Sequence, residues 1–514
     1  MTTRPPLAAR RPGTRGRVVM LTDNSVLGDS RVQKEAQSAA SAGWDVVLLG
    51  RTKKSEVQRW QIGGADVMLL PFEQPLGRGI HEIRRPRLRA VFAYPPGKMA
   101  GYRRQMMAVK QRELRLSRSL AADDPSLRSR AAVLARRSSL GLQSAWVGFR
   151  LGRTQRLKQG RRAMTSPMDR FATEFWEKAM GPDAWRRLDP SLRDLEFAFG
   201  PTIDSLQPDL IHANDFRMLG VAATAKLRAR ADGRAVGLVW DVHEFLPGIK
   251  PWDASPRWHR AQVDHEKAFA PHADEVVTVS QELGDLLVDQ FRLDHPPTVV
   301  LNAPWAADAL GGPGIPSLRV LCGVDASTKL VVYSGSAAPQ RGLGIMIEAL
   351  PQLPGVHVAL VVLKPQAEYP LSLLALAKKL GVRDRVHVLP YVAHDEVVAF
   401  LAEADAGAIP IHHWPNHEIA LITKFFEYSH ARLPLVVSDV RTMGDKTRET
   451  GQGEVFVAED LDSYVAATRA VLADPARYRA AYDVPGRLEE WTWEKQASEL
   501  DHVYSRLAER IARR

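Results

Sequence analysis

Glu427 is the side chain whose type and position most directly suggest ligand chemistry. It lies in the run Thr423–Tyr428 (TKFFEY), where the pattern predicts a helix that begins near Ile422 and ends before Pro434, with a buried strand directly after it. A carboxylate one turn into that helix has two acceptor oxygens, which suits the two hydroxyls of a ribose. A helix dipole also favours an acid in the first turn without any ligand, so Glu427 alone does not establish a site.

A second candidate is the stretch Leu330–Gly344 (LVVYSGSAAPQRGLG), a predicted strand followed by a loop of small residues. The loop leads to Arg341 and Gly342 at a helix start. Small residues allow close backbone approach, N–H groups at a helix start favour an anion, and Arg341 adds a fixed charge. The pattern therefore predicts phosphate binding without a Walker motif. The alternative is an ordinary turn between strand and helix, and the presence of TKFFEY in the same unit favours the phosphate site.

These residues can act together only if secondary-structure elements place them at one edge of a sheet. The apolar pattern predicts two series of short strands that could do so. The first series opens with the strand–loop–helix–strand order of a βαβ unit. Asn302–Ser317, rich in Gly, Pro and Ala, predicts a linker between the series. Ligands of open parallel sheets bind at the carboxyl ends of strands, so we expect the site in the cleft between two α/β units. The predicted strands are Arg17–Thr22, Asp45–Gly50, Leu210–Ala213, Gly237–Asp241, Glu275–Thr278, Thr298–Leu301, Leu330–Ser334, Val356–Leu363, Val386–Leu389, Ala406–Ile409 and Leu435–Val437.

Composition limits the class of protein. A length of 514 residues predicts about two to four domains, and 45% hydrophobic with 25% charged residues is typical of a globular chain. No apolar run approaches the roughly 18–20 residues that span a bilayer. The basic N-terminus lacks the apolar stretch of a secretory signal. A single cysteine, Cys322, excludes an intrachain disulfide and any Cys-based zinc site, so we expect a cytoplasmic protein.

The net charge of +11 is concentrated in one segment. Residues 81–170 carry 22 Lys and Arg against five Asp and Glu, and the first 17 residues add five arginines, so the remaining chain is net negative. Helices are predicted around Tyr102–Ser119, Leu127–Arg137 and Ala145–Lys158. Such a segment suits an anionic partner such as membrane phosphates, nucleic acid or a lipid-linked diphosphate, or it is a set of solvated helices. Few aromatics and no binding motif argue against nucleic acid.

Taken together, the chain resembles the retaining GT-B glycosyltransferases of family 4, in their variant with a K-x-x-E-Y donor motif. The resemblance rests on TKFFEY, on the Arg-Gly step, and on the order of RVVMLTDNSVLGDSRVQKEAQ, LIHANDF, VWDVHEF and WTWEKQASELDHVYSRL. It implies two Rossmann-like α/β domains facing a cleft, with a basic, helical insert in the first. The expected boundaries are a basic tail over 1–16, an acceptor-side domain over 17–302 with the insert at about 76–201, a linker over 303–317, a donor-binding domain over 318–486, and a C-terminal helix over 487–514 that crosses back.

The resemblance also implies roles for individual residues. Glu427 would bind the donor ribose, Arg341 would neutralise the diphosphate, and His243 would lie in the catalytic pocket near the transferred sugar. His243 is alternatively a structural histidine at a strand end. The full implied donor set is Gly335, Ser336, Arg341, Lys364, Thr423, Lys424 and Glu427, and the first loop, close to donor phosphate or acceptor, contributes Gly28, Asp29 and Arg31.

Three features depart from the family pattern or have a simpler explanation. Many relatives carry a second glutamate eight positions before Glu427, where this chain has Ile419, and the neighbouring Glu418 is expected to point elsewhere. Ser336 replaces the usual basic residue after the phosphate-loop glycine, and Lys364 is a candidate substitute. Asp29 could simply cap the helix that starts at Arg31.

The predicted activity is metal-independent transfer, with no cofactor, of a sugar from a nucleotide-diphosphate sugar to an envelope, lipid-linked or polysaccharide acceptor. The only D-x-D, Asp460 to Asp462, lies at a helix start, where acids are favoured without a metal. Residues 81–170 would contact the inner face of the plasma membrane, or only pack on their own domain, and no nucleic-acid partner is expected. The alternatives are another GT-B enzyme, such as a nucleotide-sugar epimerase or a phosphorylase, or a docking protein on an inactive GT-B scaffold.

Overall fold

Two largely parallel β-sheets carry the candidate site. The computed structural model describes residues 10–76, 91–95, 98–123, 126–249, 255–310 and 314–513. An eight-stranded sheet has the order β3-β4-β2-β1-β5-β6-β7-β8, and a six-stranded sheet has the order β11-β10-β9-β12-β13-β14. The strands are β1 Arg17–Leu21, β2 Asp45–Thr52, β3 Gln58–Ile62, β4 Ala65–Pro71, β5 Leu210–Asn214, β6 Gly237–Val242, β7 Glu275–Thr278, β8 Thr298–Val299, β9 Lys329–Ser334, β10 Val356–Val362, β11 Val386–Pro390, β12 Ala406–Ile409, β13 Leu435–Ser438 and β14 Gly453–Phe456.

The two-domain α/β prediction is confirmed, and the sheets add three strands, β3, β4 and β14, to the 11 that were predicted. β3 pairs antiparallel with β4 at the edge of the first sheet. Its sequence, QRWQI, is only half-buried and has no apolar run, which is typical of an edge strand. β14, GEVF, is similarly short and closes one edge of the second sheet.

Helices cover both faces of each sheet, because strands in a parallel sheet are apolar on both sides. One face of the first sheet packs on α1 (Ser30–Ser41) and on α20 (Trp493–Ala512), which follows the second sheet in the chain. The helices are α1 Ser30–Ser41, α2 Met99–Asp123, α3 Leu127–Ala163, α4 Pro167–Met180, α5 Trp185–Leu188, α6 Leu192–Leu206, α7 Asp215–Ala231, α8 Pro256–Phe269, α9 Gln281–Phe291, α10 Leu318–Cys322, α11 Gly344–Glu348, α12 Glu368–Lys379, α13 Val397–Leu401, α14 Pro415–Glu418, α15 Thr423–His430, α16 Arg441–Thr450, α17 Leu461–Ala473, α18 Pro475–Arg479, α19 Arg487–Glu490 and α20 Trp493–Ala512.

Both sheets belong to one compact unit, formed by residues 1–73, 195–250 and 265–514, and a second unit comprises 74–194 with 251–264. The expected insert end at 201 is corrected to Asp194, because Leu195, Phe199 and Ile203 pack in the core of the eight-stranded sheet. The segment 251–264 was not expected in the insert. Within this second unit its described part, 255–264, is held by the ion pair of Arg260 with Glu177, at 2.5 Å.

The second unit is helical, as predicted for the basic insert. Its predicted helices around Leu127–Arg137 and Ala145–Lys158 are one continuous helix, α3. Residues 1–9 of the expected basic tail and 81–90 of the basic segment lie outside the described residues. Over the described ranges, every helix is too short or too polar to cross a membrane.

Candidate active site

Helix α15 presents Glu427 beside the end of the second sheet. The helix begins after Ile422, as predicted, and its first residue, Thr423, accepts a 2.9 Å hydrogen bond from Asn302 Nδ2. Glu427 is 7% exposed. Burial raises the pKa of Glu427, while the charges of Lys424 and Lys34 act in the opposite direction. A carboxylate flanked by two ammonium groups is held ready to accept hydrogen bonds from a polar ligand.

Gly335 and Lys424 meet at the loop after β9. The backbone of Gly335 has φ +124°, and a Cβ there would lie 2.4 Å from both Cε and Nζ of Lys424. Only glycine therefore fits under the lysine. Burial, reinforced by the charge of Arg341, lowers the pKa of Lys424 to about 8. A loop with a cation packed directly on its glycine backbone is suited to binding an anion.

Two tyrosines fix the shape of this loop. Tyr333 donates its hydroxyl to the carbonyl oxygen of Ser336 at 2.7 Å. The backbone N–H of Ser334 donates to the Tyr428 hydroxyl at 2.8 Å. Tyr428 is the tyrosine of the K-x-x-E-Y run, so the same short helix positions the carboxylate, the lysine and the loop. The hydrogen bond from Ser334 therefore explains why a tyrosine follows Glu427, which the sequence pattern alone did not explain.

Arg341 stands at the end of a short 3-10 turn, Pro339–Arg341, and is half-buried. Gly342 follows with φ +68°, and a Cβ on it would lie 1.8 Å from the carbonyl oxygen of Pro410. The glycine of the Arg-Gly step is therefore required by close packing against the end of β12. Lys364, by contrast, is exposed in the turn after β10, and its carbonyl accepts a hydrogen bond from Ala367 N. Its proposed substitution for a basic residue at Ser336 stays a prediction.

Glu418 makes its side-chain contacts with His413 and the start of α16, and none with Glu427 among the described residues. Its Oε1 lies 2.6 Å from Nδ1 of His413, and its Oε2 accepts the backbone N–H of Arg441 at 2.9 Å. Ile419 is buried in the core of the eight-stranded sheet, and its carbonyl accepts the Ser280 hydroxyl at 2.6 Å. The position of the missing second glutamate is thus used for packing between the two sheets.

A buried charge cluster lies under the ends of β5 and β6. Arg31 is 3% exposed and binds Asp241 at two points, Nε to Oδ2 at 2.8 Å and Nη2 to Oδ1 at 2.9 Å. Its Nε also lies 2.9 Å from Glu35. The Arg31 guanidinium, expected beside donor phosphate or acceptor, is therefore directed into the domain. Burial raises the pKa of Asp241, but the charges of Arg31 and His243 outweigh it and hold that pKa well below its ordinary value.

His243 receives its orientation from this cluster. Its Nε2 lies 3.0 Å from Asp241 Oδ2, and the side chain is 23% exposed. Burial lowers the pKa of His243, but the Asp241 carboxylate outweighs it, so the net shift is upward. The ring is thus neither fully buried nor isolated, and within the described residues its Nδ1 has no hydrogen-bond partner.

Asp215 is a residue that sequence reasoning missed. It follows β5 directly with φ +68°, an uncommon conformation for a residue other than glycine. Burial raises the pKa of Asp215 to about 6, against the opposing charge of His243. Its neighbour Asn214 is 1% exposed, and its amide has no hydrogen-bond partner among the described residues. The polar end of LIHANDF was the available signal, because such residues at a strand end seldom serve packing.

The first loop shows the capping geometry that was the simpler explanation for Asp29. Its Oδ1 accepts the N–H of Val32 at 3.4 Å, and its Oδ2 accepts from Asn24 Nδ2 at 2.7 Å. Gly28 has φ +85° with open space where a Cβ would stand, so the glycine serves the turn conformation. Capping leaves the outer face of the loop free to contact a substrate, and that role stays a prediction.

Lys34 joins the two sheets and was also missed. It is 3% exposed, and its Nζ donates to Asn302 Oδ1 at 2.9 Å. The other end of the Asn302 amide donates to Thr423 at the start of α15. Burial, together with the charge of Arg31, lowers the pKa of Lys34 to about 8. A buried lysine and an asparagine thus connect α1 to the helix that carries Glu427.

Neither acidic cluster of the described chain favours a metal ion. Glu35, His212 and Asp241 have ligand atoms within 4.8 Å of one another, but the Arg31 guanidinium already lies between the two carboxylates. That fixed charge would repel a divalent cation. Asp460 of the D-x-D accepts the N–H of Ser463 at 2.9 Å and so caps α17, as its position at a helix start predicted.

Two segments of the chain match family models of glycosyltransferases. Residues 172–303 match the family model described as Glycosyltransferase Family 4, and residues 322–484 match the model described as Glycosyl transferases group 1. Glycogen synthase of Mycobacterium tuberculosis (strain ATCC 25618 / H37Rv) is 25% identical over 58% of this chain and 69% of its own. D-inositol 3-phosphate glycosyltransferase of Xylanimonas cellulosilytica is 26% identical over 52% of this chain and 72% of its own.

Solved structures share the two-domain α/β fold. Sucrose-phosphate synthase from Thermosynechococcus elongatus aligns with a TM-score of 0.59 over 96% of this chain and 99% of its own, at 16% identity. Anabaena Alr3699/HepE in complex with UDP and glucose aligns with a TM-score of 0.57 over 96% and 100%, at 14% identity. The fold is therefore the two-domain α/β architecture of GT-B glycosyltransferases. Together with the two family models, it supports a GT-B glycosyltransferase.

Proposed function

We propose that this chain is a retaining, metal-independent hexosyltransferase that uses a nucleotide-diphosphate sugar. The observation that carries the proposal is the arrangement on α15 and the β9 loop. A buried carboxylate, Glu427, lies one helical turn from Lys424, and Lys424 packs on the glycine of a loop with Arg341 nearby. A carboxylate for a diol beside two cations for a diphosphate matches the parts of a nucleotide sugar.

The leaving group sets the electrostatic task. As the glycosidic bond to the diphosphate breaks, negative charge develops on the departing oxygen. Lys424, Arg341 and the backbone N–H groups after Gly335 would stabilise that charge, so the proposal needs no metal ion. The half-buried cations are worth more here than in open water, because the surrounding dielectric is lower.

His243 and Asp241 supply the second part of the proposed mechanism. We place the His243 ring at the transferred sugar, with Asp241 holding it from behind and Nδ1 facing the substrate. Retention follows the resemblance to family 4, where donor and acceptor meet on the same face. Asp215, which interacts electrostatically with His243 and has a positive φ, is a further candidate group for an acceptor hydroxyl.

The acceptor is proposed as an envelope, lipid-linked or polysaccharide molecule, handled in the cytoplasm with peripheral contact to the inner face of the plasma membrane. Relatives named glycogen synthase and D-inositol 3-phosphate glycosyltransferase support a carbohydrate or polyol acceptor in general. The structures solved with UDP and with UDP-glucose support a nucleotide sugar as donor. The basic helices of the second unit support the lipid-linked member of the acceptor class.

A panel of nucleotide sugars tests the proposal. Thermal shift would identify the donor, and product analysis by NMR would then follow the anomeric proton with and without acceptor. Transfer or slow hydrolysis with retained configuration is the expected result. Isomerised donor in the absence of acceptor would instead indicate an epimerase, and an absorbing pyridoxal group on a lysine would indicate a phosphorylase. No stabilisation by any nucleotide sugar would leave the scaffold as a docking protein.

A further inference from the structure

The second unit exposes an unusual amount of apolar surface for its size. It spans residues 74–194 and 251–264, about a quarter of the chain. Of the 22 large hydrophobic side chains that are exposed in the described residues, 12 belong to it. Exposed apolar side chains are ordinary when scattered, but their concentration on one part of a molecule marks an interaction surface.

The apolar side chains of α3 form one face. Leu134, Leu142, Trp146 and Phe149 are between 48% and 75% exposed. At about 100° per residue, they fall within about a third of the helix circumference. Trp146 and Phe149 stack on each other, with ring centroids 5.7 Å apart and planes 17° from parallel. We call these four residues the α3 apolar face.

The same helix is strongly cationic. It carries ten Lys and Arg and no Asp or Glu. Arg153 and Arg156 are exposed and follow Phe149 by four and seven residues, so they continue the apolar face toward the C-terminal end of the helix. Leucine and aromatic side chains beside arginines on one helix face are the arrangement of helices that lie in the interface of an anionic membrane.

We propose that the α3 apolar face, with Arg153 and Arg156, docks this protein on an anionic lipid bilayer. The inference extends the proposed function by naming the surface that would meet a lipid-linked acceptor, and it rests on that function only for this purpose. Docking itself requires no sugar transfer.

The charge and the geometry select lipid over the other occupants. A second copy of the chain would bring two helices of ten positive charges together, which is repulsive. A nucleic acid would use the arginines but would leave Leu134 and Leu142 in water. It would also need aromatic rings open for base stacking, whereas Trp146 and Phe149 already stack on each other. A bilayer can bind both kinds of side chain, because headgroup phosphates contact the arginines and acyl chains contact the apolar residues.

Vesicle flotation of the full-length protein is the direct test. We expect flotation with vesicles of phosphatidylcholine containing phosphatidylglycerol at about 50 mM salt, and at least a tenfold smaller bound fraction at about 500 mM salt. Vesicles of phosphatidylcholine alone should bind less at both salt concentrations. Absence of binding to the anionic vesicles at low salt would overturn the proposal.

Paired variants separate the face from general charge. L142S/W146S removes apolar contact and R153E/R156E reverses two charges, and each should lower the bound fraction at least tenfold. F197S and R479E/R513E change exposed residues of the other unit and should bind as the wild type does. Equal vesicle binding by L142S/W146S and wild type would contradict the role of the α3 apolar face in docking. Single-stranded RNA that displaces the protein from the vesicles would also contradict lipid docking. Donor affinity should be unchanged in L142S/W146S, so loss of docking and failure of the transferase proposal remain distinguishable.

Discussion

Arg31 and Asp241 form a two-point ion pair inside the first domain, and His243 contacts one oxygen of the same carboxylate. The two bonds of the pair measure 2.8 and 2.9 Å, and His243 Nε2 lies 3.0 Å from Asp241 Oδ2. The guanidinium keeps Asp241 ionised, and the ionised carboxylate favours the protonated imidazole. Groups facing His243 from the neighbouring elements are Arg31 on α1 and Asp215 at the start of α7.

The first prediction concerns the pH dependence of transfer. Because Asp241 raises the pKa of His243, we expect kcat to be highest while the ring is protonated and to fall as pH rises through that raised pKa. Asp241→Asn should move this fall toward lower pH by about one unit and reduce kcat by about tenfold or more.

The control for that variant is Asp45→Asn. Asp45 is equally buried and is bound by Arg17 at 2.7 Å, but this pair lies at the amino ends of β1 and β2, the opposite end from His243. It should lose stability without moving the pH profile. An unchanged profile in Asp241→Asn, or an identical shift in both variants, would contradict the role given to Asp241. NMR titration of the His243 ring in the wild type checks separately whether its pKa is raised.

The second prediction concerns donor affinity. Glu427→Ala removes two acceptor oxygens from a buried position, and the nucleotide sugar should bind about 10- to 100-fold more weakly in calorimetry. Glu418→Ala tests the neighbouring acid that contacts His413, and we expect a change of less than about threefold. A larger loss from Glu418→Ala than from Glu427→Ala would reassign the ribose contact.

A third prediction uses the contact between Gly335 and Lys424. Gly335→Ala places a methyl group 2.4 Å from the lysine side chain, so the lysine must move away from the loop. Donor affinity should fall at least tenfold. Gly355→Ala shares the positive φ, at +73°, but has open space at its Cβ, so it should lose about 1 kcal/mol of stability at unchanged affinity. Equal affinity losses in the two variants would show that backbone strain, rather than the lysine contact, is responsible.

Local sequence signals predicted most strands of the two sheets and the loop and helix around Gly335 and Glu427, and they failed where partners are distant in the chain. The structure of TKFFEY and of the loop at Gly335 can be predicted from the local sequence, because strand, turn and helix follow one another within a few residues. Arg31 and Asp241 are 210 residues apart, and Lys34 and Asn302 are 268 apart. Nothing in the neighbourhood of either residue in sequence shows such a pairing. Strand β3 was not predicted for another reason, since an edge strand needs no apolar run.

The last prediction follows from the burial of Lys34. In the folded protein its pKa is lowered to about 8, and in the unfolded chain it is close to 10.5. Between these values the folded state has lost the proton while the unfolded state keeps it, so stability rises with pH across this window. Relative to Lys34→Met, the wild type should gain about 3 kcal/mol of unfolding free energy between pH 7.5 and pH 10.5.

Urea unfolding of both proteins at several pH values measures this difference, and the comparison cancels groups that titrate in both. Lys495→Met is the matched control, because Lys495 is a surface lysine whose charge is stabilised by Glu499 rather than penalised by burial. Its removal should give no gain of this sign with rising pH. A pH-independent gap between wild type and Lys34→Met would show that the Lys34 ammonium remains charged against Asn302 throughout, and the lysine would then act as a permanent charge in the link between α1 and the helix of Glu427.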